Sequence, residues 1–237
     1  MSNFRKGAKI DQIDNLIAEI SKIPDDWHRA GTVSERVLKK IVEHLADRKI
    51  LNSAETGAGK TTLLFSHISL NHKVFAMDMG ESLSAVRSCD LLNSESVEFI
   101  EGPTQLTLKT YKLIDKLQVV IIDGPHGYPF PDMEYWYFYP HIEEGGLLII
   151  DDIHIPTIHN LFVFLKEDDM FDLVEIVGTT AFFRRNANQL LDPYGDGWWL
   201  QNYNNKRFPV GFYQKLMAFI PSKLQRKLIS LIKHYKM

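Results

Sequence analysis

The sequence predicts an α/β protein with a Rossmann-like, doubly wound, mostly parallel sheet and an antiparallel final strand. Three observations predict it. From residue 48 onward, strand-length apolar runs alternate with segments of helical character. Two of these runs, in "QVVIIDG" and "GGLLIIDD", are continuously apolar, as expected of strands covered on both faces. Successive strand candidates also end in acids: Glu55, Asp78, Glu101, Asp123 and Asp151-Asp152. That edge, beyond the carboxyl ends of the strands, is where such sheets bind ligands. Five acids in succession favour a shared rim.

The elements follow in order. Residues 10–20, "IDQIDNLIAEI", carry apolar side chains at helical intervals, and Thr32 or Ser34 is placed to cap a second helix running to about Asp47. Residues 1–47 are therefore expected to form a helical cap segment, with the core at 48–185. In the core, "KILNSAE" predicts a strand and "GKTTLLFSHISL" a helix. "KVFAMD" then predicts a strand, "SLSAVRSCDLLN" a helix, "SVEFIEG" a strand and "TQLTLKTYKLIDKL" a helix. After the strand "QVVIIDG" comes the aromatic-rich helix candidate "DMEYWYFYPHI", then the strand "GGLLIIDD". "FDLVEIVGTTAFFRR" holds two apolar runs joined at Gly178 and predicts paired final strands. From Asn186 the texture turns to Asn, Gly, Pro and aromatics. Residues 186–237 are expected to form a long loop and a basic amphipathic helix after Pro221, with Trp198 and Trp199 anchoring the loop or stacking on a sugar ring.

Composition narrows the class. At 237 residues, with 45% hydrophobic and 24% charged residues, the chain reads as one globular domain with extensions. A net charge of −3 gives no nucleic-acid footprint. Cys89 is the sole cysteine, which suits a reducing compartment. No apolar run resembles a signal peptide or is long enough to span a bilayer. A cytoplasmic protein with no stable membrane insertion is expected.

The stretch "SAETGAGKTT" fits two patterns. Residues 54–61 read A-x-x-x-x-G-K-T, which resembles the P-loop of myosin motors. Gly57 and Gly59 would then approach phosphates, Lys60 would reach the terminal ones, Thr61 would hold magnesium, and "VVIIDG" would serve as the acidic second strand. That resemblance ends at the loop. Residues 55–59 also read E-x-G-x-G, a glycine turn entering a helix whose N-terminus attracts a carboxylate. In that pattern the next strand should end in an acid for ribose hydroxyls, and "KVFAMD" supplies Asp78. A P-loop gives no reason for that acid.

The second pattern extends along the chain. "ETGAGKTT", "FAMD", "GPTQLTL", "VVIIDGPHG" and "PHIEEGGLLIIDD" occur in the order found in class I S-adenosylmethionine (SAM)-dependent methyltransferases. Over residues 30–185 the chain resembles the metal-dependent small-molecule O-methyltransferases of the macrolide-sugar and catechol types. The resemblance implies SAM as cofactor, held by Glu55, Gly57, Gly59, Asp78, Thr104, Gln105 and Asp123. It implies Mg2+ or a similar cation on Asp123, Asp151 and Asp152, with His126, three residues beyond Asp123, as base. Asp123 thus counts among the catalytic residues. In this reading Lys60 is a solvent-facing residue of the first helical turn, with a small penalty from the helix dipole. His28 and Trp27 are read as packing residues near the donor, His154 as structural, and Tyr128 and Phe130 as candidates to shape the acceptor site. Most of Tyr135 to Tyr139 is expected in the core. The expected partner is a small hydroxylated acceptor, by analogy a carbohydrate, and no nucleic acid. Two alternatives stay open: a nucleotide hydrolase using residues 54–61, and a SAM-binding protein without catalysis. The acceptor, the metal and the oligomeric state are not legible.

Overall fold

The computed structural model describes residues 10–188, 190, 201–208, 220 and 224. Helices α1 (Ile10–Ser21) and α2 (Glu35–Leu45) precede the sheet. Ser34 caps α2, its hydroxyl accepting from the Val37 N–H. Then come β1 (Ile50–Thr56), α3 (Lys60–Ile68), β2 (Ser69–Ala76), α4 (Ser82–Arg87), β3 (Val97–Glu101), α5 (Thr104–Thr110), β4 (Leu117–Ile122), α6 (Phe130–Phe138) and β5 (Ile142–Ile150). α7 (Pro156–Glu167), the hairpin β6 (Phe171–Val177) and β7 (Thr180–Arg185), and α8 (Asn202–Arg207) complete the described chain.

The seven strands are ordered β3-β2-β1-β4-β5-β7-β6. β1 to β5 pair in parallel, and β7 inserts antiparallel between β5 and β6. The chain reverses its winding between β1 and β4, where ligands of open α/β sheets bind. The apolar strands feed two cores by their period of two. Val119, Ile121, Leu147 and Ile149 join Leu38, Ile41, Leu64 and Phe65 on the α2–α3 face. Val120, Ile122, Leu148 and Ile150 join Phe138, Leu161, Phe162 and Leu165 on the α6–α7 face. Among the described residues, no helix is long and apolar enough to cross a membrane.

Three helices are shorter than the sequence predicts, and neighbouring contacts explain two of them. α3 stops at Ile68 because Ser69 opens β2, its hydroxyl accepting from Ser53 at 2.8 Å. α5 stops at Thr110. Tyr111 is extended there, packs edge-on against Phe75 and donates its hydroxyl to Glu98 at 2.7 Å. α4 is a single short stretch ending at Arg87, whose guanidinium lies over Phe99 and pairs with Glu101 at 2.8 Å. Tyr135, Phe138 and Tyr139 are buried, as expected, whereas Trp136 is 38% exposed. Trp198, Trp199 and the helix expected after Pro221 lie outside the described residues.

Candidate active site

The glycine turn joins β1 to α3. Gly57 has φ +85°, and a Cβ there would overlap the Asp123 carbonyl oxygen, so only glycine lets the turn pass this close to the end of β4. The turn is ordered from beneath. Thr62 accepts the Gly59 N–H at 3.0 Å and donates its own hydroxyl to Glu55. Glu55 is 1% exposed and its other neighbour is the buried His72, 3.2 Å away. Glu55 therefore shapes the turn from the core and is not part of the cavity wall.

A cavity of about 470 Å³ opens at this edge. Its walls are the turn at Gly57–Thr61, Met77 with Met79 and Gly80 after β2, Thr104 and Gln105 at the start of α5, and Asp123–His126 after β4. The segment Arg29–Val33, ahead of α2, closes the remaining side. That strap is pinned where the Arg29 N–H donates to the Gly80 carbonyl at 2.9 Å, and where Lys60 Nζ meets Asp25 Oδ1 at 2.9 Å. Lys60 differs from the sequence reading. Its side chain is 5% exposed, folded under the strap rather than turned to solvent. Trp27 and His28 pack there with their rings tilted at 45° and centroids 5.1 Å apart. Phe130 lines the cavity, while Tyr128 is 77% exposed beside it.

The acidic rim divides sharply. Asp78 accepts from the backbone N–H of Ser84 at 3.1 Å and from its hydroxyl, which caps α4 and lowers the carboxyl below its ordinary range. Met77 and Met79 reach the cavity wall, but Asp78 does not. Glu101 is spent on Arg87. Asp151 is buried and accepts from Thr180 Oγ1 at 2.6 Å and from the Asp152 N–H at 2.9 Å. Of the five strand-end positions, only Asp123 lines the cavity.

Among the described residues, Asp123, His126 and Asp152 converge, each with one ligand atom within 4.8 Å of the others. His126 Nε2 lies 3.5 Å from Asp152 Oδ2 and 3.8 Å from Asp123 Oδ1. His154 stands on the far side, its Nδ1 3.6 Å from Asp152 Oδ1. Of the three acids expected to hold a cation, Asp123 and Asp152 stand together beside His126, while Asp151 faces Thr180. The Thr157 hydroxyl donates to the His126 carbonyl and fixes that loop. Desolvation pushes the Asp123 carboxyl up to about 7, against the pull of His126. The hydrogen bond and charge of Asp123 hold His126 above its ordinary value.

One residue escaped sequence reasoning. Glu134, on α6, is fully buried beneath the Asp123-Gly124 loop. It accepts from Thr56 Oγ1 at 2.7 Å and from Thr104 Oγ1 at 2.8 Å, while Thr56 accepts the Asp123 N–H at 3.1 Å. A Cβ on Gly124 would overlap its carboxylate. Burial pushes Glu134 up to about 7. The available signal was a lone acid inside the aromatic run "MEYWYFYP".

Residues 54–153 match the family model for a methyltransferase domain. No curated protein matches the sequence. Solved structures with the same fold include cofactor-bound Rv0187 from MTB, 14% identical, with 79% of this chain and 100% of that one covered and a TM-score of 0.59. The O-methyltransferase TomG from Streptomyces achromogenes, in complex with SAM, is 12% identical over 73% of this chain and 90% of its own, with a TM-score of 0.56. MycE, from the mycinamycin biosynthetic pathway and in complex with Mg, S-adenosylhomocysteine and mycinamycin VI, is 13% identical. That match covers 73% of this chain and 54% of MycE, with a TM-score of 0.50. Identities this low carry the fold alone. Fold and family model agree with the resemblance read from the motifs: a methyltransferase domain on the class I, Rossmann-like fold.

Proposed function

From the match of residues 54–153 to a methyltransferase-domain model, we propose that the chain transfers the methyl group of SAM to a hydroxyl oxygen of a small acceptor. One observation carries this reading: the glycine turn and the Asp123–His126 loop meet in one cavity at the switch point, so a donor on the turn lies beside a histidine–carboxylate pair. The turn fits a donor because Gly57 and Gly59 leave its backbone bare along the cavity. Thr104 and Gln105 form the wall on the adenine side of this reading, and Met77 and Met79 flank the ribose. In it, residues 48–185 are the donor-binding core and 1–47 the cap.

The donor set also fits a divalent cation. Asp123 and Asp152 bring carboxylate oxygens together at a half-exposed site, where desolvation and mutual repulsion raise Asp123 and a cation would relieve both. Such an ion, when bound, lowers the pKa of an acceptor hydroxyl. His126 takes the hydroxyl proton at Nε2 while the oxygen displaces the sulfonium, forming the C–O bond as the C–S bond breaks. Asp123 orients the imidazole and stabilises its charged form. Phe130 and Tyr128 border the acceptor entrance, a surface suited to the apolar face of a sugar ring. A carbohydrate or glycosylated metabolite is the preferred acceptor class.

Calorimetric titration with S-adenosylhomocysteine and with magnesium ATP tests the donor. Saturable binding of the first alone is expected, and binding of ATP alone would return residues 54–61 to a nucleotide site. Methyl transfer to hydroxylated acceptors should then fall on chelation with EDTA and recover with Mg2+. Activity indifferent to chelation would remove the cation from this reading.

A further inference from the structure

Glu134 does not line the cavity, yet three of the cavity's walls end on its carboxylate. It is fully buried in an aromatic helix, and its hydrogen-bond partners are two neutral hydroxyls rather than a cation. A carboxyl in such a place is costly, and packing alone would be served better by an apolar side chain. Each oxygen has its own partner. Oε2 accepts at 2.7 Å from Thr56, the last residue of β1, which leads directly into the Gly57 turn. Oε1 accepts at 2.8 Å from Thr104, the first residue of α5, which is 3% exposed. The third wall is the loop after β4. Its Asp123 N–H donates to Thr56 Oγ1 at 3.1 Å, and a Cβ on Gly124 would stand 2.4 Å from Glu134 Oε1. The same loop touches the turn directly: the Asp123 carbonyl oxygen lies 2.3 Å from where a Cβ on Gly57 would stand.

The turn and Thr104 border the donor, and the loop carries Asp123 and His126. One planar group of fixed size therefore stands between the two halves of the site while lining neither. Methyl transfer is an in-line displacement, in which a misplacement of about 1 Å costs about 10²-fold. We propose that Glu134 is a positioning residue for that step: through Thr56 and Thr104 it sets the separation between the donor's wall and the Asp123–His126 loop. This rests on the reading of SAM as donor and His126 as base. It accounts for an acid in an aromatic helix, because a carboxyl offers hydrogen bonds in two directions and no apolar side chain can grip both threonines. It also separates turnover from donor binding. The turn and the start of α5 keep backbone ties of their own, from the Gly57 N–H to Phe75 and from the Gly102 N–H to Ala76, each at 3.0 Å.

The test reads turnover, donor affinity and one amide in the full chain. With a hydroxylated acceptor that the wild-type chain methylates, Glu134→Ala should lower kcat about 10- to 100-fold. Calorimetry should find S-adenosylhomocysteine bound nearly as tightly as before. Glu134→Gln, which keeps a partner for each hydroxyl, should recover most of the lost turnover. Thr104→Val should also lower kcat, and Thr104→Ser should restore it; this smaller pair serves if Glu134→Ala does not fold. Glu134→Ala and Thr104→Val combined should cost no more than Glu134→Ala alone, because both cut one connection. The amide needs no acceptor. In this network Thr104 reaches the Asp123 N–H only through Glu134 and Thr56. Thr104→Val should therefore speed hydrogen exchange at Asp123 several-fold while the Ile121 and Ile122 amides hold. A Glu134→Ala chain with wild-type kcat overturns the proposal, as does a loss of donor affinity as large as the loss of kcat. So does an Asp123 amide that exchanges at the wild-type rate in Thr104→Val. A wild-type chain that methylates no acceptor overturns the methyl-transfer reading, and the positioning role with it.

Discussion

Two of the histidine–carboxylate clusters among the described residues are opposites. Under α3, His72 Nδ1 meets Ser53 Oγ at 2.8 Å and its Nε2 lies 3.2 Å from Glu55, with His72 and Glu55 at most 1% exposed. At the cavity, His126 stands 3.5 and 3.8 Å from Asp152 and Asp123, each side chain about a third exposed. By residue type the first is the better catalytic constellation, a serine, a histidine and an acid in line. It has no path to a substrate: Thr62 donates to Glu55, Ser69 accepts from Ser53, and Phe65 stacks on the imidazole. The second is looser and unsaturated. Its loose distances leave room for a ligand atom, whereas the tight ones describe a finished structural joint.

Four substitutions break or sharpen that contrast. The largest effect is expected at the open cluster: His126→Ala should lower kcat by about 10²- to 10⁴-fold while sparing S-adenosylhomocysteine binding. A variant turning over at the wild-type rate would show that the base lies elsewhere. At the closed cluster, His72→Leu leaves Glu55 buried without its basic neighbour. It should cost about 3 kcal/mol or more in urea unfolding, yet leave kcat per folded molecule unchanged. If kcat falls instead, the two clusters are coupled through the turn.

Glu134 lies between these extremes. Folded, it keeps its proton up to about 7, while the unfolded chain releases it near the ordinary value of 4.5. Stability from this group is therefore full below about pH 4.5 and is lost as the pH rises through 7, on the order of 3 kcal/mol. Glu134→Gln keeps partners for Thr56 and Thr104 and should flatten that slope in denaturation curves taken at pH 5 and pH 8. An unchanged slope would assign it to Asp123. The smallest effect is expected for Asp78→Ala. Loss of the Ser84 contacts should lower the thermal unfolding midpoint slightly, and donor affinity should weaken with it. Undiminished affinity would confine Asp78 to the capping of α4.

The same contrast explains what the sequence could disclose. Period and polarity are local properties, so the continuous apolar runs of β4 and β5, the Ser34 cap and the Gly178 hairpin were readable directly. The glycine turn and the Asp123–His126 spacing were readable because both sit within a few residues of chain. What each acid is spent on was not readable. Asp151 is taken by Thr180 from a hairpin 29 residues on, Asp78 by a helix that had first to form, and Lys60 by Asp25 from 35 residues before it. Glu134 was hidden for a related reason. Its partners come from β1 and from the start of α5, and an acid among aromatics resembles a surface position until the sheet brings Thr56 and Thr104 to it. Helix ends were misjudged where side chains such as Tyr111 exchange helical continuation for a tertiary contact.

Glu134 has a practical consequence for redesign. One carboxyl joins the end of β1, the start of α5 and, through Thr56, the backbone after β4, and its bulk forbids any side chain at Gly124. The floor of the cavity is therefore one keyed assembly, in which altering any member disturbs the other three. Freedom to vary lies along the upper walls, at Arg29–Gly31 and around Tyr128, where exposed residues answer to fewer neighbours. A library aimed at new acceptors belongs on those walls, with Thr56, Thr104, Gly124 and Glu134 left as the chassis.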